Sequence, residues 1–188
     1  MLHLLVALCS ATPQATGVRT FAMLAGRLAF DAPAYWGPAG PPSSDSLGTI
    51  IFCIPNAVIE GTGVAANVVV EAHVSGSPID LKVSSDTQLA KLTAAFPVTV
   101  LLDSTRLGKF RIVARRSQER ATVYNVNDIY AVSGNVLVHC MIALPSVRAI
   151  SVDWYGRVIQ ELNRMLFSLT LHGRPLLPTD LRVNALPH

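Results

Sequence analysis

The residues of this chain that could do chemistry are its five histidines, its three cysteines and one aspartate that follows an apolar run. His3, His73, His139, His172 and His188 show no metal-ligand spacing. Cys9, Cys53 and Cys140 contain no CxxC pair and are odd in number, so neither a zinc site nor a disulfide framework is expected. Their apolar neighbours mark them as small buried hydrophobes. His139 and Cys140 are adjacent, but strand alternation points them to opposite faces, so they do not form a base–nucleophile pair. His139 is expected instead as a core histidine bonded to a backbone group.

The run VTVLLDSTRLG places Asp103 at the end of an apolar strand, where an aspartic protease carries its catalytic carboxylate. Thr105 stands where that loop needs glycine, and no second copy supplies the partner carboxylate. A strand-end aspartate in a turn is the expectation. GxSxG, GxxxxGK[ST], HExxH and GxGxxG are all absent. No enzyme activity, cofactor or metal is therefore expected.

One charge concentration stands out. Arg106, Lys109, Arg111, Arg115, Arg116 and Arg120 against Glu119 give residues 106–120 a net charge of +5, more than the +3 of the whole chain. Arg111, Arg115 and Arg116 are the candidate contact residues. They would meet RNA phosphates, or the carboxylates of a neighbouring subunit, or simply solvent.

The elements that must carry these residues come from an apolar chain. Only 14% of its 188 residues are charged, 51% are hydrophobic, and the mean hydropathy is +0.42. No window offers the roughly 18 apolar residues of a spanning helix. So much apolar surface points to burial against partner chains, and not to a membrane. The start, MLHLLVALCSATPQATG, has no basic residue before a short apolar stretch, which argues against a signal peptide and for a packed arm.

Period-2 alternation dominates. Strands are expected over 18–30, 47–54, 66–74, 97–103, 108–115 and 121–132, with a proline-rich loop at 31–44. Ser85 and Gln88 suggest a capping box and one short helix. VLVHCMIA, residues 136–143, is apolar on both faces save His139, so it is a central strand. Residues 147–154 alternate, with Ile150, Val152 and Trp154 inward, as a half-exposed return strand. GRVIQELNRM is compatible with a helix, and three prolines give residues 172–188 the character of an arm. The expected organisation is an N-terminal arm at 1–17, one domain at 18–158 and a C-terminal arm at 159–188. The fold class is all-β, two packed antiparallel sheets, as a jelly roll or an immunoglobulin-like sandwich. Phe52, Val69, Leu101, Ile112, Val138, Cys140, Ile142 and Val152 are the expected core between them.

The order of GTIIFC, ANVVVEAHVSGSP, PVTVLLDSTRLGKFRIVARRS and VLVHCMIALPSVRAISVDWYGRV over residues 47–158 resembles picorna-like virus coat proteins, most of all the small coat protein of comoviruses in the Secoviridae. That resemblance implies an eight-stranded jelly-roll β-sandwich with two arms. It implies a structural capsid subunit of a small icosahedral, positive-strand RNA plant virus, found in the virion and in the host cytoplasm during assembly. Its partners would be other coat protein subunits, with genomic RNA on the inner face. Two other readings stay open: a non-viral β-sandwich binding or adhesion domain, and an enzyme on a β scaffold, which a convergent polar cluster in a pocket would favour.

Overall fold

A computed structural model describes residues 17–38, 48–54, 66–95, 99–119, 122–146 and 152–178. In chain order they form β1 (Val18–Met23), β2 (Leu28–Pro33), β3 (Gly37–Pro38), β4 (Gly48–Ile54), β5 (Ala66–Val74), α1 (Leu81–Ala95), β6 (Thr99–Leu107), β7 (Phe110–Glu119), β8 (Thr122–Ser133), β9 (Val136–Pro145), α2 (Val152–Ser168), β10 (Thr170–Leu171) and β11 (Arg174–Pro175).

The strands make two antiparallel sheets. The larger has seven strands in the order β3-β4-β5-β9-β8-β7-β6, and the smaller has four in the order β1-β2-β10-β11. β6 through β9 pair in chain order as a meander, with two-residue loops between β6 and β7 and between β8 and β9. Gly134 (φ 62°) opens the two-residue loop between Ser133 and Val136, and Gly108 (φ 56°) opens the one between Leu107 and Phe110. A glycine with positive φ at the first loop position gives the turn whose twist matches its flanking strands.

The mostly-β character and the two antiparallel sheets agree with the sequence, but the eight-stranded jelly roll is overturned. Four of the large sheet's strands follow one another in the chain, and two helices pack on it. A jelly roll would divide its strands between two facing sheets in Greek-key order. The run 136–145 is nonetheless central. β9 stands fourth of seven, and all ten of its residues are buried. On its second face Leu137 packs with Leu81 of α1, while Met141 and Ala143 pack with Val69, Tyr124 and Val126 of the neighbouring strands.

One face of the large sheet carries the main core. Phe52, Val68, Val70, Val138, Cys140 and Ile142 pack there against α2 and the small sheet. The Phe52 ring meets Phe21 edge-on at 4.9 Å and Trp36 at 5.9 Å, which binds the two sheets together. Val69 faces the opposite side, Ile112 is partly buried and Leu101 is 54% exposed, so the expected single core is divided. The side chain of Val152 lies outside the described residues.

The return strand expected at 147–154 is also corrected: Trp154 and Tyr155 lie in α2, while 147–151 are outside the described residues. Ile150 and Trp154 are four apart, a spacing that strand and helix periods share. The helical stripe runs Trp154, Val158, Leu162, Met165, Leu166, all buried. It continues past residue 158 into the β10–β11 hairpin, where Leu171 pairs with Leu28 and joins the core. Residues 1–16, nearly all of the expected N-terminal arm, and 179–188, the last third of the expected C-terminal arm, are outside the described residues.

On the other face, α1 starts earlier than its expected cap. Asp80 Oδ1 accepts the Val83 amide at 2.9 Å, so Asp80 is the N-cap and Ser85 sits within the helix. Leu81 of α1 packs with Val113, Tyr130 and Leu137 of the sheet, beside the partly buried Ile79 and Leu89.

Candidate functional site

Strand alternation and register gather four ionisable residues on the α1 side of the large sheet. Glu71 comes from β5, His139 from β9, Asp128 from β8 and Arg115 from β7. Glu71 is directly opposite His139 in register, while the other steps run diagonally between neighbouring strands.

The row is continuous. Arg115 Nε donates to Asp128 Oδ2 at 2.6 Å. The other carboxylate oxygen of Asp128 lies 3.0 Å from His139 Nε2, and His139 Nδ1 lies 3.3 Å from Glu71 Oε2. Arg115 Nη2 also reaches Met141 Sδ at 3.5 Å. The Tyr130 ring lies flat on the imidazole, with centroids 4.4 Å apart and planes 6° apart. Arg115, Asp128 and His139 are 2%, 0% and 3% exposed, and Glu71 is the more open end of the row.

Burial disfavours a charged imidazole. Here the bonds to Asp128 and Glu71 outweigh it and raise His139 above the ordinary histidine range. Burial likewise works against the Asp128 carboxylate, but His139 and Arg115 hold its pKa below the usual value. The bond from His139 lowers Glu71 as well. With His139 protonated, the row is two cations and two anions, a neutral set inside the protein. Burial pushes the Tyr130 hydroxyl up, and that oxygen has no hydrogen-bond partner among the described residues.

Arg111, Arg115 and Arg116 are not brought together. Arg115 lies in the row. Arg111 is on the same face, where it donates to Ser85 Oγ at 2.8 Å and to Asp86, and so ties α1 to the sheet. Arg116 points to the other face, exposed, with Nε 3.4 Å from Asn125 Oδ1. His139 is bonded to two carboxylates, and not to the backbone group expected of it. Asp128 and Glu71 were missed as partners. Their signal was present, since each is an acidic residue inside an expected strand, but the strand order and register that join them were not.

Cys140 points to the α2 side, and burial pushes its thiol up to about 12, which leaves it inert as a nucleophile. Cys53 is disulfide-bonded, which corrects the expectation of buried free cysteines throughout: an odd count still permits one pair. Among the described residues, no group of three or more His, Cys, Asp or Glu is placed to hold a metal ion. No described helix is long and apolar enough to cross a membrane.

No protein-family model matches the chain, and no curated protein sequence matches it. Solved structures do. The Ran-binding protein Mog1p of Saccharomyces cerevisiae superposes with a TM-score of 0.57 at 12% identity, over 84% of this chain and 97% of that one. The cyanobacterial PsbP protein CyanoP of Synechocystis sp. PCC 6803 gives 0.55 at 10% identity, over 87% and 96%. At such identities the likeness concerns the fold. Neither neighbour is a coat protein. The resemblance to picorna-like capsid subunits is overturned, and with it the capsid function and the shell of coat-protein partners. It failed because strand spacings are common to many antiparallel sheets, whereas strand order was the property that differed.

Proposed function

We propose that this chain is a non-viral, non-catalytic binding domain that recognises a protein partner. The observation that carries this reading is the state of its chemistry-bearing residues. The ionisable side chains that the sheet assembles are buried and neutralise one another, and Cys140 is sealed on the opposite face with its thiol raised to about 12. Groups held in this way stiffen a scaffold and leave no free base beside a nucleophile. Mog1p, which shares the fold at 12% identity, is a Ran-binding protein, so the fold is compatible with protein recognition; no residue role is carried over from it.

The test has two arms. Cross-linking in the native extract should yield a partner that, once purified, forms a stoichiometric complex with the purified chain in calorimetry. Turnover of an ester, amide or phosphoester panel that His139→Gln abolishes, in a chain that stays folded, would overturn the reading.

A further inference from the structure

The Tyr130 ring belongs to two sets of contacts. One of its faces stacks on His139, and the side chain belongs to the cluster with Leu81, Val113 and Leu137 that seats α1. The imidazole at the centre of the charged row and the helix over the sheet therefore share one aromatic side chain. We propose that His139, acting through Tyr130, couples the docking of α1 to the protonation state of the row, so that loss of one proton loosens the helix.

Charge balance gives the reason. With His139 protonated, Arg115, Asp128, His139 and Glu71 sum to zero in a site that is buried except at its Glu71 end. Without that proton, the Asp128 and Glu71 carboxylates confront each other across an uncharged ring. A net buried charge of this kind is relieved by admitting water. The sheet is poorly able to yield. β5, β9 and β8 are joined along their lengths by ladder pairs, eight between β5 and β9 and ten between β9 and β8. α1 is held by less: its buried side chains are Leu81, Ser85 and Leu92, and its polar ties to the sheet run from Arg111 to Ser85 and Asp86.

The charged and titratable groups around His139 are these. β8 presents Asp128 and Tyr130, and β5 presents Glu71, with His73 near it on the same face. From β7, Arg115 stands behind Asp128, and Arg111 lies opposite Tyr130 in register. From α1, Asp86 is bound by Arg111 and Lys82. Within the row, His139 is the group whose ordinary value lies nearest neutrality, and its partners raise it above 6.5. The sign follows: docking is complete below the ordinary histidine value and weakens as pH rises towards the raised one.

Hydrogen exchange of residues 81–95, corrected for its intrinsic base catalysis, should be followed from about pH 6 to about pH 9 beside the NMR titration of the His139 ring. The expected result is opening of α1 that grows by up to about tenfold per pH unit until His139 has titrated, with β5 and β9 still protected. Glu71→Gln should move both transitions to lower pH together, which brings them into range if His139 holds its proton throughout in the native chain. Tyr130→Leu should abolish the coupling while His139 still titrates, and Tyr130→Phe should preserve it, since the lost hydroxyl has no partner. α1 protection that stays flat while His139 loses its proton overturns the proposal. So does opening without titration, or simultaneous loss of protection in β5 and β9.

Discussion

His139 Nε2 lies 3.0 Å from the same Asp128 carboxylate that accepts Arg115 at 2.6 Å, so a single buried aspartate is bound by a histidine and an arginine from two different strands. One side chain thereby ties β7 and β9 to the strand between them.

This arrangement fixes the pH profile of stability. Glu71 and Asp128 have lowered folded pKa values, so their contribution is complete above the ordinary 4.5 and 3.8 and is lost as pH falls through the lowered values. His139 is raised, so its contribution is complete below 6.5 and is lost as pH rises through its folded value. The row therefore stabilises the chain most between 4.5 and 6.5. Urea midpoints across pH should show a maximum in that window, and His139→Gln should flatten the alkaline limb. An unchanged alkaline limb in that variant would contradict the assignment.

Breaking the buried pair from one side should be severe. Arg115→Met leaves the 0% exposed Asp128 carboxylate short of a cation, and Asp128→Leu leaves the 2% exposed Arg115 guanidinium unpaired; each should cost about 3–5 kcal/mol. The double change Arg115→Met with Asp128→Leu leaves His139 and Glu71 as a neutral pair, and it should cost far less than the sum of the single changes. Denaturant unfolding of all three variants measures the coupling; additive costs would mean that the two groups do not act as a pair.

The split core predicts unequal responses to truncation. Ile142→Ala removes a fully buried side chain beneath α2 and should cost about 2–5 kcal/mol. Leu101→Ala, at 54% exposure on the edge strand, should change stability by no more than about 0.5 kcal/mol. Equal losses at both positions would place Leu101 in a core that the fold does not give it.

Cys140 should be silent towards alkylating reagents in the folded chain, because it is buried and its thiol is raised to about 12. Labelling should begin only with denaturant and follow the unfolding curve. Rapid labelling under native conditions would show that the α2 face opens.

Much of the local structure was legible in the residues themselves. Alternation locates β4, β5 and β7, and the apolar run around His139 identifies β9 as a strand covered on both faces. These are properties of neighbouring side chains, so a one-dimensional pattern contains them. The pattern does not contain what supplies the cover. A second sheet and a helix bury an apolar face equally well, and Ile150 and Trp154 suit a strand and a helix alike at their spacing of four. The buried row is the clearest case. Glu71, Arg115, Asp128 and His139 are each visible as a polar residue in an apolar strand, but they stand up to 68 positions apart, the separation of Glu71 from His139. Only the order β5-β9-β8-β7, with its register, brings them within hydrogen-bonding distance and turns four isolated charges into one neutral, buried set. Strand order is decided by which pairings bury the most apolar surface over the whole chain, and no local stretch of sequence records that competition.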